Sequence, residues 1–369
     1  MRILVVGGGI AGVTAAAPLA NTTHVTLVEK EPTLAFHTTG RSAALLFDTY
    51  GVRPLWALTR ASRHFFDDPP ADVVDHPLLS RRGALTIGYS GQEQRLDAVY
   101  TQTAATGVDV ARLGRTDVLD VCPALGPSVV GAVFERDAAD MDVSGIHQAF
   151  VRRLSQRGGE VRTGTALAGA VHRNGSWTVT FSDNSTWHGD VIVNAAGAWG
   201  DVVASLCSVE PVGLVPHRRT AFMTSAPEGS EQWPLVVDLE HSFYFKPDGV
   251  QLLCSPADET PEDPMDSKAQ EIDVALAIER INEATNLEIR HVRSAWAGQR
   301  TFVADRSMVI GPDPTCPSFI WLVGQGGTGI QTAPAAGELA ASLATNGAVP
   351  AHLEEAGVDP APLSPSRLR

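Results

Sequence analysis

Three glycines near the N-terminus are spaced in a way that could hold a pyrophosphate. Gly7, Gly9 and Gly12 form a Gly-x-Gly-x-x-Gly motif directly after an apolar run at residues 2–6, which predicts a buried strand. The first glycine permits a tight turn, the second allows close approach of a pyrophosphate, and the third lets a following helix pack on the strand. The N-terminus of that helix offers free N–H groups and a partial positive charge to the anion.

A second predicted strand ends in an acid. Residues 25–28 are mostly apolar and are followed by Glu29, whose carboxylate is placed to bond a ribose hydroxyl. The two features together complete a dinucleotide fingerprint and make an ordinary glycine-rich turn the less favoured interpretation. Pro18 lies inside the predicted helix, where a proline removes a hydrogen bond, so we expect the helix to bend there.

Composition excludes several classes of partner. The 369 residues are enough for two domains that share a sizeable core, and the net charge of −14 argues against nucleic acid and anionic membrane surfaces. The four cysteines are scattered with no spacing that indicates zinc, so we expect reduced thiols and no metal site. No apolar segment approaches the roughly 18 residues of a membrane span. With the first strand at the N-terminus, we expect no transmembrane segment, no cleaved signal and a cytoplasmic protein.

Predicted strands of two kinds alternate along the chain. Apolar runs typical of buried parallel strands lie at the start, at 191–194 and at 319–323, whereas antiparallel-looking strands fill the two gaps. This interleaving is typical of flavoproteins with a discontinuous FAD domain, while an NAD dehydrogenase usually uses one contiguous block. We therefore predict an α/β fold: a discontinuous Rossmann-like FAD-binding domain and an α+β substrate domain with a mostly antiparallel sheet.

The domain boundaries follow from the same alternation. The predicted FAD-binding domain comprises residues 1–44, 138–208 and 297–347, and the predicted substrate-binding domain comprises residues 45–137 and 209–296. The remaining residues, 348–369, form a proline-rich C-terminal tail that we expect on the surface.

The order of the motifs resembles the amine-oxidising FAD family, which includes D-amino acid dehydrogenases, glycine oxidase and sarcosine oxidase. By motif the chain resembles most the bacterial FAD-dependent D-arginine dehydrogenases, and the similarity spans essentially the whole chain. The segments that carry it are residues 37–44 (HTTGRSAA), 61–66 (ASRHFF), 76–80 (HPLLS), 242–244 (SFY), 296–298 (WAG), Arg300 with 302–305 (FVAD), and 325–327 (QGG) with 329–332 (GIQT).

The resemblance implies oxidative deamination of D-amino acids with FAD as cofactor. A hydride passes from the α-carbon to the flavin, and water converts the imino acid to a 2-oxo acid and ammonia. Sarcosine oxidase ties its flavin to a cysteine in the region of 296–300, where this chain has none, so we expect non-covalent FAD. Either a quinone or dioxygen is expected to reoxidise the flavin.

The resemblance also assigns roles at the catalytic site. Arg219 and Arg300 match the pair that holds the substrate carboxylate, a task that suits a guanidinium fork. Tyr50 and Tyr244 match two tyrosines that close over the substrate, and Gly298 matches a residue whose carbonyl accepts from the substrate amine. Without the resemblance, Arg219 would read as a solvated charge and either tyrosine as a core aromatic.

The predicted cofactor-binding residues lie in five segments: the two glycine-rich loops, the end of the second strand, and the TGRS and NAAGAW motifs. The late loop is expected to open a helix whose N-terminus stabilises negative charge on the reduced flavin, and Gln331 matches a residue close to the flavin. The full set is Gly7, Gly9, Ile10, Ala11, Gly12, Glu29, Lys30, Thr39, Gly40, Arg41, Ser42, Ala43, Ala44, Ala195, Ala196, Gly197, Trp199, Gly326, Gly327, Thr328, Gly329, Ile330 and Gln331.

The predicted side-chain pocket departs from that of the D-arginine dehydrogenases. Leu45 replaces a histidine, Phe47 a threonine, and Ala84 the glutamate that receives the cationic side chain. We therefore expect a pocket that favours apolar over cationic D-amino acids. Asp48 is the acid near it in sequence and is expected to face solvent. The predicted substrate-binding residues are Leu45, Phe47, Ala84, Leu235, Val237 and Gly298.

Two other functions stay open from the sequence. The first is an N-methyl amino acid or glycine oxidase, against which the missing flavin-linking cysteine and the D-arginine dehydrogenase motifs argue. The second is a flavin-binding protein that has lost catalysis, against which the presence of both arginines and both tyrosines argues.

Overall fold

The computed structural model describes residues 1–369. Its α-helices are α1 (Ile10–Leu19), α2 (Arg53–Asp67), α3 (Glu93–Ala104), α4 (Arg115–Val121), α5 (Val143–Gln156), α6 (Gly200–Leu206), α7 (Glu271–Ala284), α8 (Ala333–Thr345) and α9 (Ala351–Glu355). Short 3₁₀ turns occur at Thr39–Arg41, Gly197–Trp199, Ala361–Leu363 and Pro365–Leu368.

The strands range in length from two to eleven residues and form four sheets. They are β1 (Arg2–Val6), β2 (His24–Val28), β3 (Leu45–Leu46), β4 (Leu79–Arg81), β5 (Ala84–Tyr89), β6 (Val110–Gly114), β7 (Val129–Glu135), β8 (Ala139–Met141), β9 (Glu160–Arg162), β10 (Leu167–Arg173), β11 (Ser176–Phe181), β12 (Thr186–Gly189), β13 (Val191–Asn194), β14 (Val215–Ser225), β15 (Leu235–Asp238), β16 (Tyr244–Asp248), β17 (Gln251–Ser255), β18 (Thr260–Pro261), β19 (Ser294–Phe302), β20 (Val309–Pro312) and β21 (Phe319–Val323).

A six-stranded sheet in the order β20-β21-β13-β1-β2-β9 contains the glycine motif. Its strands are parallel except β20, which pairs antiparallel with β21. Side chains alternate between the two faces: Ile3 and Val5 pack with helices α1, α5 and α8, while Leu4 and Val6 pack with β10–β12 and α6. Because both faces are covered, β1 can be apolar at every position after Arg2.

A nine-stranded, mostly antiparallel sheet provides the second layer, with β18-β14-β17-β16-β15-β5-β7-β6 in order and β19 paired to β14. On one face Leu85, Val236 and Phe245 pack against α4 and α7. The alternate residues, among them Ala84 and Leu235, point to the other face and form a separate small cluster. This second face carries the residues expected to meet substrate. A three-stranded sheet in the order β3-β8-β4 lies beside it.

The predicted fold class is confirmed. Parallel strands from the start, middle and end of the chain form one sheet, and the intervening segments supply the antiparallel sheet. No helix is long and apolar enough to cross a membrane. All four cysteines are free, and no group of three or more His, Cys, Asp or Glu side chains could hold a metal ion.

Two local expectations are wrong. Helix α1 does not bend at Pro18 and continue, because it ends one residue later at Leu19, so the proline sits in the last turn. The C-terminal tail does not lie only on the surface. It forms α9 and two 3₁₀ turns, and Leu353 and Leu363 are fully buried in the main core. Apolar residues among the prolines anchor it.

Candidate active site

A cavity of about 390 Å³ lies at the carboxyl ends of the parallel strands β1, β2 and β21. Open α/β sheets bind ligands at this edge. The cavity runs from the glycine motif at one end to Arg219, Tyr244 and Arg300 of the nine-stranded sheet at the other. Predicted cofactor-binding residues therefore share one cavity with Gly298, Arg219, Tyr244 and Arg300 of the predicted catalytic and substrate-binding residues. The other predicted residues of that group lie outside its lining, and they are Leu45, Phe47, Tyr50, Ala84, Leu235 and Val237.

Most of the predicted cofactor-binding residues line this cavity, and four do not. Gly12, Gly40, Thr328 and Gln331 lie outside its lining. Those that line it are Gly7, Gly9, Ile10, Ala11, Glu29, Lys30, Thr39, Arg41, Ser42, Ala43, Ala44, Ala195, Ala196, Gly197, Trp199, Gly326, Gly327, Gly329 and Ile330.

The glycine motif forms a backbone cradle that side chains would block. Gly7 has a φ of +111°, and a Cβ there would lie 2.4 Å from the Ala195 carbonyl oxygen. A Cβ on Gly12 would lie 1.8 Å from the Gly7 carbonyl oxygen, so Gly12 acts from behind the cavity wall. The N–H groups of Gly9 and Ala11 have no acceptor within the protein and remain free for an anion.

Glu29 is held rigidly beside this cradle. Its Oε2 accepts from the Gly8 N–H at 2.7 Å and its Oε1 from the Glu31 N–H at 3.0 Å. A carboxylate has about four acceptor sites, so Glu29 keeps capacity for a ribose hydroxyl. Nearby, the Thr39 hydroxyl accepts from the Ile10 N–H at 3.0 Å and ties the TGRS segment to the start of α1.

His147 supports the same loop and was not singled out from the sequence. It lies on α5, is buried, and its Nε2 donates to the Gly8 carbonyl at 3.0 Å. Burial holds the pKa of His147 below its ordinary value, so the ring is neutral. A lone histidine on an apolar helix face gives no sequence signal, since its partner lies 139 residues away.

This histidine predicts a loss of stability in acid. The unfolded chain protonates His147 near pH 6.5, whereas the folded protein resists protonation, so the free energy of unfolding falls as pH drops below that value. In His147→Gln, whose amide can still donate to Gly8, this contribution is absent. We expect chemical denaturation to show a larger loss for the wild type than for the variant between about pH 7 and pH 5. Equal losses would contradict the assignment.

Other residues that line the cavity were not predicted from the sequence, because strand pairing places them there. The segment 165–167, which follows β9 and includes the first residue of β10, reaches the cavity because β9 pairs with β2. His37 also lines the cavity and packs on Trp199, with ring centroids 4.6 Å apart. Lys30 Nζ lies 3.4 Å from the Trp199 ring centroid, a cation–π contact at the same end of the cavity.

The side chains of two predicted cofactor-binding residues form hydrogen bonds within the protein. The Arg41 guanidinium donates to the carbonyls of Ser267 and Ala297 and pairs with Asp266, so it joins the cofactor segment to the nine-stranded sheet. Gln331 does not reach the cavity: its Nε2 donates to the Phe47 carbonyl at 3.2 Å and to Thr59 at 3.0 Å. Both side chains position segments of the wall.

The late glycine loop contacts the substrate end of the cavity. A Cβ on Gly327 would lie 2.9 Å from both Arg300 Nη1 and the Tyr50 hydroxyl oxygen. Helix α8 begins at Ala333, later than the sequence suggested, and Gly329 and Ile330 of the intervening turn still line the cavity. Gln325 also lines it, and its buried Nε2 has no hydrogen-bond partner. That amide nitrogen is available to a bound cofactor.

Arg300 and Tyr50 lie together at the centre of the predicted substrate-carboxylate site, which we call the anion site. Arg300 Nη1 donates to the Tyr50 hydroxyl oxygen at 2.9 Å, which is the only side-chain hydrogen bond of Arg300. Its other donors are free for a ligand, and so is the Tyr50 hydroxyl proton. The Arg300 charge holds the pKa of Tyr50 below its usual value.

Arg219 completes the anion site from the adjacent strand. In the β14–β19 register it faces Gly298, so it lies on the same sheet face as Arg300. Its side chain is only 13% exposed, which excludes the solvated-charge interpretation. Nε donates to the Asp258 carbonyl at 2.8 Å and Nη2 pairs with Glu259 at 3.0 Å. Burial and the Arg300 charge both lower the pKa of Arg219, and a bound carboxylate would relieve that repulsion.

The predicted side-chain pocket is an apolar cluster next to this anion site. Ala84 and Leu235 are buried there, and Leu45, Phe47 and Tyr244 pack against them. We call these five residues the side-chain cluster. Val237 is the register partner of Tyr244 and lies one step along the same face as Leu235.

Asp48 does not face solvent as expected. Its side chain is 23% exposed, and Oδ1 accepts from Arg63 of α2 at 3.1 Å. The acid is neutralised by a partner that the sequence spacing did not reveal.

The cavity suits a long cofactor with an anionic middle. Free N–H groups at the start of α1 face it, Glu29 lies at its ribose end, and Gln325 offers an unpartnered amide at the other. These donors and acceptors fit a dinucleotide such as FAD.

Comparison with solved structures shows the same fold in several enzymes. Glycine oxidase from Geobacillus kaustophilus has a TM-score of 0.85 and 20% identity, covering 99% of each chain. L-proline dehydrogenase from P. horikoshii has a TM-score of 0.85 and 19% identity, covering 99% of this chain and 97% of that one. L-amino acid deaminase from Proteus vulgaris has a TM-score of 0.83 and 16% identity over 99% and 96% of the chains. At these identities the likeness concerns the fold alone.

Sequence comparison adds the family. FAD-dependent oxidoreductase domain-containing protein 1 from Bos taurus is 31% identical in an alignment of 178 residues that covers 42% of this chain and only 36% of that relative's length. The mouse protein of the same name is 29% identical over the same share of this chain. The FAD dependent oxidoreductase (DAO) family pattern matches residues 2–343. The chain therefore belongs to the DAO family of FAD-dependent oxidoreductases.

Proposed function

We propose that this protein oxidises D-amino acids to 2-oxo acids and ammonia. The observation that carries the proposal is the anion site of Arg300, Tyr50 and Arg219 at one end of the cofactor cavity, beside the apolar side-chain cluster. A carboxylate site next to an apolar subsite is what an amino acid requires. The D-configuration rests on the motifs shared with D-amino acid dehydrogenases.

The chain's own residues would bind and orient the substrate. Arg300 and Arg219 hold its carboxylate, and the Tyr50 hydroxyl donates to it. The Gly298 carbonyl accepts from the amine, and Tyr244 covers the substrate from the sheet face. FAD supplies the acceptor for the hydride that leaves the α-carbon.

The proposed pocket favours apolar side chains over cationic ones at mildly acidic pH. An ammonium or guanidinium in the side-chain cluster costs several kcal/mol without a partner. An apolar side chain instead gains about 25 cal/mol per Å² buried. We expect anaerobic flavin reduction at about pH 6 to be faster with D-Leu, D-Met or D-Phe than with D-Arg. Preference for D-Arg at that pH would contradict the pocket assignment.

The runner-up function is oxidation of glycine or an N-methyl amino acid. Solved structures with the same fold include glycine oxidase, and the fold does not distinguish the two functions. An anaerobic screen with both enantiomers of the common amino acids, glycine and sarcosine decides between them. Reduction by glycine or sarcosine in preference to any D-amino acid would overturn our proposal, and so would preference for L-enantiomers. A flavin that no substrate reduces would indicate a protein without catalysis.

The pH dependence of reduction follows from the absence of a base. Leu45 stands where the resembling enzymes have a histidine, so we expect no base beside the substrate amine, whose lone pair must be free before the hydride leaves. The reduction rate should rise with pH and then level off. A rate that is constant from mildly acidic to alkaline pH would contradict this prediction.

The FAD should be bound non-covalently. The structure places no cysteine in the lining of the cavity. Acid or heat should therefore release free FAD into the supernatant. Flavin that stays with the precipitated polypeptide would contradict the prediction.

The physiological acceptor and compartment complete the proposal. We expect a quinone or dioxygen to reoxidise the flavin, and steady-state assays with each acceptor distinguish an oxidase from a dehydrogenase. Four free cysteines suit a reducing compartment, so we place the enzyme in the cytoplasm. Fractionation of the source cells would test that placement.

A further inference from the structure

Glu135 is a partly buried carboxylate for which the proposed chemistry has no role. It is the last residue of β7, and its register partner on β5 is Ala84. Directly opposed residues of an antiparallel pair have Cβ atoms about 5 Å apart on the same face. Ala84 in turn pairs with Leu235, so Glu135 shares the sheet face of the side-chain cluster.

The carboxylate also reaches the chain segment that carries Tyr50. The Thr49 hydroxyl donates to Glu135 Oε2 at 3.3 Å, and this is the only side-chain hydrogen bond of Glu135. No lysine, arginine or histidine pairs with it. A partly buried carboxylate with one long hydrogen bond keeps acceptor capacity for a cationic partner.

We propose that Glu135 is a specificity-determining residue that accepts the cationic end of a substrate side chain. Ala84, whose side chain is a single methyl group, lies in register between this carboxylate and Leu235 of the side-chain cluster. This inference rests on the proposed oxidation of D-amino acids.

The ionisation of Glu135 makes the preference depend on pH. Burial raises the pKa of Glu135 to about 7, opposed by the Thr49 hydrogen bond and assisted by the charge of Asp48. Below that pH Glu135 is neutral and the pocket favours apolar substrates, and above it the carboxylate can pair with a cation. Other charges in the surrounding segments already have partners: Asp48 with Arg63, Asp109 with Arg136, and Asp140 with Arg82 and Lys246.

The test compares D-Arg with D-citrulline, which has the same length and a neutral end. The measured quantity is the ratio of their second-order rate constants for anaerobic flavin reduction, in which titration of the common α-amine cancels. The ionised fraction of Glu135 rises about tenfold between roughly pH 6 and pH 8.5, so we expect a similar rise in the ratio. In Glu135→Gln the ratio should not change with pH.

Three further variants sharpen the result. Thr49→Val removes the hydrogen bond that lowers the pKa, so the rise should move to higher pH. Asp48→Asn removes a charge that raises the pKa, so the rise should move to lower pH. Asp137→Asn, an exposed acid two residues from Glu135, should leave the wild-type profile unchanged.

Each outcome decides. A pH-independent ratio in the wild type overturns the inference, as does a rise that persists in Glu135→Gln. If that variant does not bind FAD, opposite shifts in Thr49→Val and Asp48→Asn support the inference and unshifted profiles overturn it. If either of these results overturns the inference while D-Leu still reduces the flavin, the proposed function stands. If no D-amino acid reduces the flavin, both the inference and the proposed function are overturned.

Discussion

The Arg300→Met variant should still bind FAD, but substrate should reduce its flavin much more slowly than in the wild type. The substrate carboxylate has lost its charged partner in this variant. Loss of one partner of a buried charge pair costs about 3–5 kcal/mol. That cost corresponds to a decrease of roughly 100-fold to 5,000-fold in the second-order rate constant of reduction. The reason is geometric: Tyr50 uses one donor of Arg300, and the others face the cavity.

The controls for this prediction separate binding from folding. Flavin content and melting temperature should stay near those of the wild type, because Arg300 lies at the substrate end of the cavity. Arg95→Met, at an exposed arginine on α3, should leave reduction unchanged. A wild-type rate constant in Arg300→Met would remove Arg300 from the proposed anion site.

Gly12→Val should abolish FAD binding. The first added carbon would lie 1.8 Å from the Gly7 carbonyl oxygen, far inside van der Waals contact, so the glycine motif and α1 must separate. That displacement moves the free N–H groups of Gly9 and Ala11 away from the pyrophosphate. We expect a colourless protein whose melting temperature no longer rises when FAD is added, measured by flavin absorbance and thermal denaturation.

The matched control is a glycine with space around it. Gly169 on β10 has no atom within 4 Å of a Cβ position, so Gly169→Ala should keep the wild-type flavin content. A yellow Gly12→Val protein would show that the close approach of α1 to Gly7 is unnecessary for binding.

Features that depend on local sequence were predictable here. The strand before the glycine motif, the acid after the second strand and the alternation of strand types all follow from short patterns. These patterns gave the fold class and the segments that line the cavity. Such patterns do not predict contacts between residues that are distant in sequence.

Features set by strand register and long-range contacts were not predictable. The carboxylate of Glu135 faces Ala84 only because β5 and β7 pair in one register, and a one-residue shift would turn it to the other face. The same holds for His147 under Gly8 and for Gln331 on the Phe47 backbone. In each case a polar group finds a partner that no spacing rule connects to it.

The close approach of Gly327 to Arg300 and Tyr50 makes the two ligand affinities interdependent. One loop lines the cavity that fits the cofactor and contacts Arg300 and Tyr50 of the carboxylate site, so a ligand at either place restricts the same atoms. Thermodynamic reciprocity then requires that any factor by which an unreactive carboxylate tightens FAD is the factor by which FAD tightens that carboxylate. The apoprotein should thus be a poorer receptor for amino acids than the holoenzyme, and saturating substrate should slow the loss of FAD.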